Sequence, residues 1–226
     1  MCRAMYKLLF AAFVVPVLIA GAARGAVLPS FKLLQTVIGR YQKATGIKSE
    51  IKRTVTIALL DQTTISHGEI SLSKGRVRID LKAPNPTTVV FDRSLMWVIT
   101  PTPASLGGRP QVLEIKSSDI NRQSEAPLAL LLGDEKAWGL FKIKSEKRGN
   151  SWLTVNLEKK KKSAEGIQTI QIRLNTQKKS IEELSYTDDL GNLTKFNFYQ
   201  TQFSARLRKA LFQFHPPKNA QITVMN

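Results

Sequence analysis

Residues 68–101 read GEISLSKGRVRIDLKAPNPTTVVFDRSLMWVITP, which parses as four short strands in succession. Ile70 and Leu72 point one way before Ser73-Lys74-Gly75 supplies a turn. Val77, Ile79 and Leu81 then form a strict apolar row, with Arg76, Arg78, Asp80 and Lys82 in the alternate positions. Side chains of a strand alternate faces with period two, so this run has one apolar and one charged face. Pro84 and Pro86 cannot donate to a ladder and break the run. Residues 87–91 resume it, Asp92-Arg93-Ser94 turns, and 95–100 return carrying Trp97. Turns this short join antiparallel neighbours, because parallel strands need a long crossover. The stretch is predicted to be an antiparallel meander with one buried face.

Working outward toward the C-terminus, residues 101–110 hold three prolines and two glycines and are predicted to be a loop. Residues 111–116 follow as another strand. Residues 126–132, APLALLL, closed by Gly133, are apolar nearly all round and too short to cross a bilayer, which suits a buried helical turn or a lid. Strands are expected again over 140–144, 151–158, 167–175, 181–187 and 193–200, with Ile222 and Val224 in a last short one. On the N-terminal side, 51–60 is the first strand, with Val55, Ile57 and Leu59 on one face. Before it, Phe31, Leu34, Ile38 and Tyr41 recur at helical spacing, widened by Leu33, Val37 and Ala44, in a helix opened by Pro29-Ser30 and stopped near Gly46. Ten or more strands at spacings of about ten residues imply a large antiparallel sheet, curled or nearly closed.

The first residues carry an address. Arg3 and Lys7 precede an apolar core over 8–20, and Gly21-Ala22-Ala23-Arg24-Gly25-Ala26 supplies small residues for cleavage after Ala23 or Gly25. That core is shorter than the roughly 20 residues of a membrane-spanning helix. Residues 1–25 are therefore expected to be a cleaved signal peptide, with an uncleaved anchor as the alternative, and 26–226 a single exported domain. Cys2, the one cysteine, precedes the apolar core. The exported chain then has no disulfide, lipidated cysteine, thiol nucleophile or cysteine-ligated metal.

The chain has 226 residues, with 34 basic against 17 acidic, a net +17. Without Arg3, Lys7 and Arg24 the balance is 31 − 17 = +14. Such a surface attracts polyanions in general. Lys159 through Lys162 are either a solvated loop or a docking patch for an anionic membrane or an acidic partner. Nucleic-acid binding calls for basic residues interleaved with exposed aromatics or a recognisable module, and neither is evident. His67 and His215 are far apart and lack metal-ligand spacing, so no metal or cofactor is expected. No nucleophile elbow, phosphate loop or dinucleotide fingerprint occurs. Asp188-Asp189 with Glu182-Glu183 is better read as hairpin turn chemistry than as an acid/base pair, and a hydrolase using Asp188 or Glu183 is the minor rival.

A curved sheet with one amphipathic helix leaves a concave face too wide for the helix to fill. The remainder is packed solid by side chains, capped by residues 126–132, or occupied by an apolar ligand. At about 0.8 kcal/mol per buried CH₂, an acyl chain there would gain many kcal/mol.

The order of these features resembles the LolA-like family of periplasmic outer-membrane lipoprotein carriers. The resemblance is carried by the leader and first helix, by the meander with its V-x-D-x-x-x-x-W pattern ending on Trp97, and by APLALLLG from Ala126 to Gly133. YTDDLGNLTKFNF, with D-x-x-G-x-x-T-x-x-x-F from Asp188 to Phe198, and FQFHPPKNAQITV near the C-terminus complete it. It implies a mainly β fold: an unclosed, half antiparallel β-barrel with an N-terminal helix and short lid helices over the concave apolar face. It also implies a monomeric periplasmic chaperone, without catalysis, that takes acylated lipoproteins from an inner-membrane ABC-transporter complex to an outer-membrane receptor. On this reading the acyl-chain cavity is lined by Val55, Ile57, Ile70, Leu72, Val77, Ile79 and Leu81, then Val89, Phe91, Trp97 and Ile99, then Ile170, Ile172, Phe196 and Phe198. Val90 competes with Val89 and Phe91 for the inner face. Leu128, Leu131 and Leu132 form the lid. The family's basic residue before a proline, which helps govern its lid, falls on Lys74-Gly75, so Lys74, Arg76 or Arg78 stands in for it, while Lys160 and Lys161 are docking candidates. Asn219 stands where the family has a glycine. Relatives with this fold act as envelope regulators, so a scaffold binding a partner through its basic face is the alternative.

Overall fold

The alternation seen in residues 68–101 extends through the described strands as one sheet. A computed structural model describes residues 29–116, 140–160 and 166–225. The elements are α1 (Pro29–Lys43), β1 (Ile47–Ile57), β2 (Gln62–Ser73), β3 (Arg76–Leu81), β4 (Thr87–Phe91), β5 (Leu95–Thr100) and β6 (Gln111–Lys116). After these come β7 (Phe141–Arg148), β8 (Trp152–Lys159), β9 (Thr169–Asn175), β10 (Ser180–Thr187), β11 (Leu193–Phe203) and β12 (Gln221–Met225). The twelve strands pair in the order β12-β6-β5-β4-β3-β2-β1-β11-β10-β9-β8-β7. β12 and β7 are the two edges, so the sheet is unclosed.

Three local expectations are corrected. The first strand begins at Ile47 and ends at Ile57, and Ala58–Leu60 is a 3-10 turn. Pairing of Ile57 with Gln62 leaves few residues for the reversal, so Leu59 goes to the turn tip, 92% exposed, instead of extending the apolar row. Phe31 lies off the buried stripe of α1, which is Leu34, Val37, Ile38 and Tyr41. β12 is parallel to β6, not antiparallel. Residues 204–220 make the long crossover that a parallel neighbour needs, starting beside Gly46 and ending beside Pro110.

α1 is pinned along its length. Ser30 Oγ donates to Glu146 Oε1 on β7 at 3.0 Å, Ile181 N of β10 donates to Tyr41 Oη at 3.0 Å, and Ser73 Oγ of β2 donates to Thr45 O at 2.7 Å. From β7 to β2 is six strand spacings, about 29 Å if flat, whereas a 15-residue helix is about 21 Å long. The sheet therefore curls, with α1 spanning its inner side.

Both faces of the sheet are apolar in part. The large core lies on the inner side, between α1 and β1 to β11. A smaller cluster of Val90, Trp97 and Val112 lies on the outer side, covered by Phe214 and Ala220 of the C-terminal segment. The Trp97 and Phe214 rings are 6.0 Å apart, and Trp97 Nε1 donates to Glu114 Oε2 at 3.2 Å. Arg78 helps hold that segment in place, donating to Asp80 Oδ2 at 2.7 Å, to Asp80 Oδ1 at 2.9 Å and to Leu211 O at 3.3 Å.

Candidate functional site

Cα partners on neighbouring strands share a face, so register alone builds the concave wall. Leu72 faces Val77, Val77 faces Phe91, Phe91 faces Met96, and Met96 faces Ile115. The adjoining row is Ile70, Ile79, Val89, Val98 and Leu113. Across β1 the wall continues through Phe196, Leu184, Ile172 and Val155. Ile170 lies on it between Tyr186 and Leu157, and Phe198 pairs with Ile51 of the same face. Val55 and Ile57 follow Ile51 at even spacing along β1, and Leu81 faces Gly68.

Trp97 and Ile99 are corrections. Val90 pairs with Trp97 and Thr88 with Ile99, which turns both away from the concave wall. Trp97 lies in the outer cluster and Ile99 packs against it. Met96 and Val98 take their places inside, Val89 and Phe91 face inward, and Val90 faces outward. Sequence reasoning also passed over Ile47, Ile51, Leu113, Ile115, Val155, Leu157 and Leu184. For Ile47, Ile51, Val155, Leu157 and Leu184 the signal was present, since the neighbours of each within its strand are polar or charged, whereas in β6 Val112 on the opposite face blurs the alternation around Leu113 and Ile115.

Exposure along this wall varies, and Met96 and Ile115 near the β12 edge and Leu153 and Val155 near the β7 edge are as buried as its middle. Ile70, Ile79, Ile172 and Phe196, in the middle, are no more than 1% exposed. Toward the β12 edge, Val98, Leu113 and Met225 are only partly buried, and toward the β7 edge so is Ile143. Val55, Ile57 and Phe198 are half-buried too. Arg53 sits in the same inner row of β1, its guanidinium 6.0 Å from the Phe196 ring centroid. The arrangement is an apolar inner face, buried under α1 over much of its area and partly exposed at Val98, Leu113, Ile143, Val55, Ile57 and Phe198.

The expected basic and lid residues separate. Lys74 is exposed at the β2–β3 turn with φ 48°, and Arg76 is half-buried beside Asp92. Burial pushes the Asp92 carboxyl up, but hydrogen bonds from Leu95 N, Ser94 Oγ and Ser94 N, with the Arg76 charge, outweigh it and hold the carboxyl below its usual range. Arg78 is committed to Asp80 and the C-terminal segment. Lys160 is exposed, its backbone N donating to Leu140 O at 2.8 Å. Leu128, Leu131, Leu132 and Lys161, and with them the lid helices, lie outside the described residues.

The carboxylates are structural. Asp188 Oδ1 accepts from Leu190 N at 3.0 Å and Asn192 N at 2.9 Å, and Asp188 Oδ2 accepts from Asn192 Nδ2 at 2.9 Å, closing the β10–β11 turn. Glu183 Oε2 accepts from Asn197 Nδ2 at 3.0 Å. Among the described residues no group of three or more His, Cys, Asp or Glu side chains could hold a metal ion.

Comparison with known proteins bears on what this apolar face does. The model of the family described as outer membrane lipoprotein carrier protein LolA matches residues 42–215. An outer-membrane lipoprotein carrier protein of Legionella pneumophila (strain Lens) is 27% identical over 194 residues, covering 85% of this chain and 89% of the relative. One of the same description from Dechloromonas aromatica (strain RCB) is 26% identical, covering 70% and 71%. Among solved structures, a LolA superfamily protein from Nitrosomonas europaea aligns with a TM-score of 0.42 at 10% identity, covering 80% of this chain and 97% of that one.

Proposed function

This chain belongs to the LolA family of outer membrane lipoprotein carriers, and from that premise we propose that it carries the acyl chains of lipoproteins in its concave trough, from the inner to the outer membrane. The activity is binding and release, not catalysis. The observation that supports it is the inner face itself: an apolar wall running from β6 to β8 on which Val98, Leu113, Val55, Ile57 and Phe198 are only partly buried.

An acyl tail of about 16 carbons moved from water into such a trough gains on the order of 10 kcal/mol. Moving it from one apolar host to another is nearly neutral by comparison, so modest differences at a donor or receptor set the direction of transfer. On this reading an inner-membrane ABC-transporter complex loads the protein, an outer-membrane receptor unloads it, and the leader exports it to the periplasm as a monomer.

The test is recovery of the protein from the periplasm followed by mass spectrometry of what leaves with it. Acylated lipoproteins or their acyl fragments are expected in near-stoichiometric amount. Protein that is free of lipid and does not take up a fluorescent fatty acid would remove the carrier reading and leave a scaffold that docks through its basic face.

A further inference from the structure

One end of the sheet gathers cations that no carboxylate answers. The C-terminus of α1 and the β2–β3, β4–β5 and β9–β10 turns all lie at this end. Hydrogen bonds tie them together. Lys74 N donates to Ala44 O at 3.0 Å, Arg93 Nε donates to Lys74 O at 2.7 Å, and Arg40 Nη1 donates to Lys178 O at 2.8 Å and Lys179 O at 3.1 Å. Arg40, Lys43, Lys74, Arg93, Lys178 and Lys179 thus stand on adjoining turns, and all six are exposed.

None of the six forms an ion pair among the described residues. Several cations on the faces of the sheet are answered: Lys48 by Glu69 at 3.0 Å, Arg78 by Asp80 at 2.7 Å, Lys142 by Glu158 at 3.0 Å and Lys195 by Glu183 at 3.7 Å. Asp92, the one acid in these three turns and the end of α1, spends Oδ1 on Ser94 N, Ser94 Oγ and Leu95 N. The backbone is unusual at the same places. Lys74, Arg93 and Lys179 hold φ of 48°, 98° and 50°, left-handed positions that glycine or asparagine fills more easily. An ordinary side chain there costs roughly 1–2 kcal/mol. Turn formation alone would favour Gly or Asn, so three basic residues mark a place where charge outweighs local preference.

We propose that this end of the protein docks on a bilayer surface bearing anionic phospholipid headgroups. From the β4–β5 turn to the β9–β10 turn is six strand spacings, roughly 30 Å along the sheet, wide enough to meet several headgroups at once. The cations stand on separate turn tips at one level of the strand ends, an array suited to a surface. Stable contact with an acidic polypeptide would call for buried aromatic or aliphatic anchors as well. The exposed leucines Leu59, Leu60 and Leu190 are at the opposite end, on the β1–β2 and β10–β11 turns. Adsorption through charge needs no such anchor, each Lys or Arg contributing about 1 kcal/mol near an anionic leaflet. The proposal is independent of what the concave trough carries.

Vesicle co-sedimentation of the purified protein tests it, with phosphatidylcholine alone and phosphatidylcholine mixed with phosphatidylglycerol. Binding is expected to the mixed vesicles only, at low salt, and to disappear at ~1 M salt, where the Debye length is about 3 Å. The triple variant Lys74→Gln, Lys178→Gln, Lys179→Gln should bind about 100-fold more weakly. A variant of equal charge change at the opposite end, Lys82→Gln, Arg109→Gln, Lys218→Gln, should bind as the parent does. Circular dichroism and thermal melts verify that each variant is folded, and Lys178→Gln with Lys179→Gln alone serves if the triple variant is not. Equal weakening in both triple variants would mean that net charge, not this end, drives adsorption, and the proposal falls. It falls equally if mixed vesicles are ignored while immobilised polyglutamate retains the protein, which would make this end a site for acidic polypeptides.

Discussion

Ile181 N–H donates to Tyr41 Oη across 3.0 Å, joining the buried stripe of α1 to the start of β10. Burial is the main influence on that hydroxyl and pushes its pKa up to about 12, against smaller opposing effects of the Ile181 hydrogen bond and the Arg40 charge. Below pH ~10, the pKa of an unfolded tyrosine, the neutral hydroxyl stabilises the fold in full. Because the folded pKa lies above the unfolded one, this stability drains away as pH rises from about 10 through 12, by on the order of 2–3 kcal/mol. Tyr41→Phe should cost roughly 1–3 kcal/mol at neutral pH, since Ile181 N loses its acceptor, and should flatten the alkaline decline. Urea melts of parent and variant across that range decide it, and parallel declines would clear Tyr41 as the cause.

Trp97 stabilises the outer face and is not expected to touch cargo. It is buried against Val90, Val112 and Phe214, and Trp97→Ala should cost about 3–5 kcal/mol while loosening the C-terminal segment that Phe214 anchors. Fatty-acid affinity at a temperature where the variant is still folded should equal that of the parent. A selective loss of affinity without loss of stability would return Trp97 to the trough.

The reason Trp97 was misplaced shows where the sequence is legible. RVRIDL declares its faces because charges fill every second position. VVF and LMWVIT are apolar on consecutive residues, so period two gives no parity. Both faces of β4 and β5 are in fact buried, the outer one by residues 204–220, a contact more than 100 positions away in sequence. The same distance hides the parallel β12–β6 pairing and the basic end, where Arg40 meets carbonyls of Lys178 and Lys179. Existence and order of the strands were legible because turns and alternation are local. Which side is covered was not, because coverage is tertiary.

Gly68 is required by close approach of backbone. A Cβ built there would lie 2.0 Å from Asp80 O and 2.9 Å from Leu81 Cα, so Gly68→Ala must push β3 away from β2. The expected cost is about 3 kcal/mol, read as a lower urea midpoint with an unchanged slope. Gly39, whose added Cβ would meet nothing within 4 Å, is the control: Gly39→Ala in the middle of α1 should stabilise by a few tenths to about 1 kcal/mol. Similar effects from both substitutions would mean that β2 and β3 are not held in the register that places Ile70 opposite Ile79.

Leu113 and Val112 are neighbours on β6 that face opposite ways, and a carboxylate at each should fail differently. Leu113 is partly buried, opposite Val98 on the concave side and one strand in from the open edge. A glutamate there keeps its carboxylate within reach of water, so the fold survives with a small drop in melting temperature. It nonetheless sets a charge where an acyl tail would enter, and fatty-acid binding should weaken at least tenfold, about 1.4 kcal/mol. Val112, 1% exposed in the outer cluster, offers no such escape. Val112→Glu must bury a charge or break the cluster, at a cost of several kcal/mol in stability. Fluorescent fatty-acid titrations beside thermal melts separate the two effects. Parent-like affinity in a folded Leu113→Glu protein would show that cargo does not pass the β12 edge, and the search for its entrance would move to Ile143 at the β7 edge.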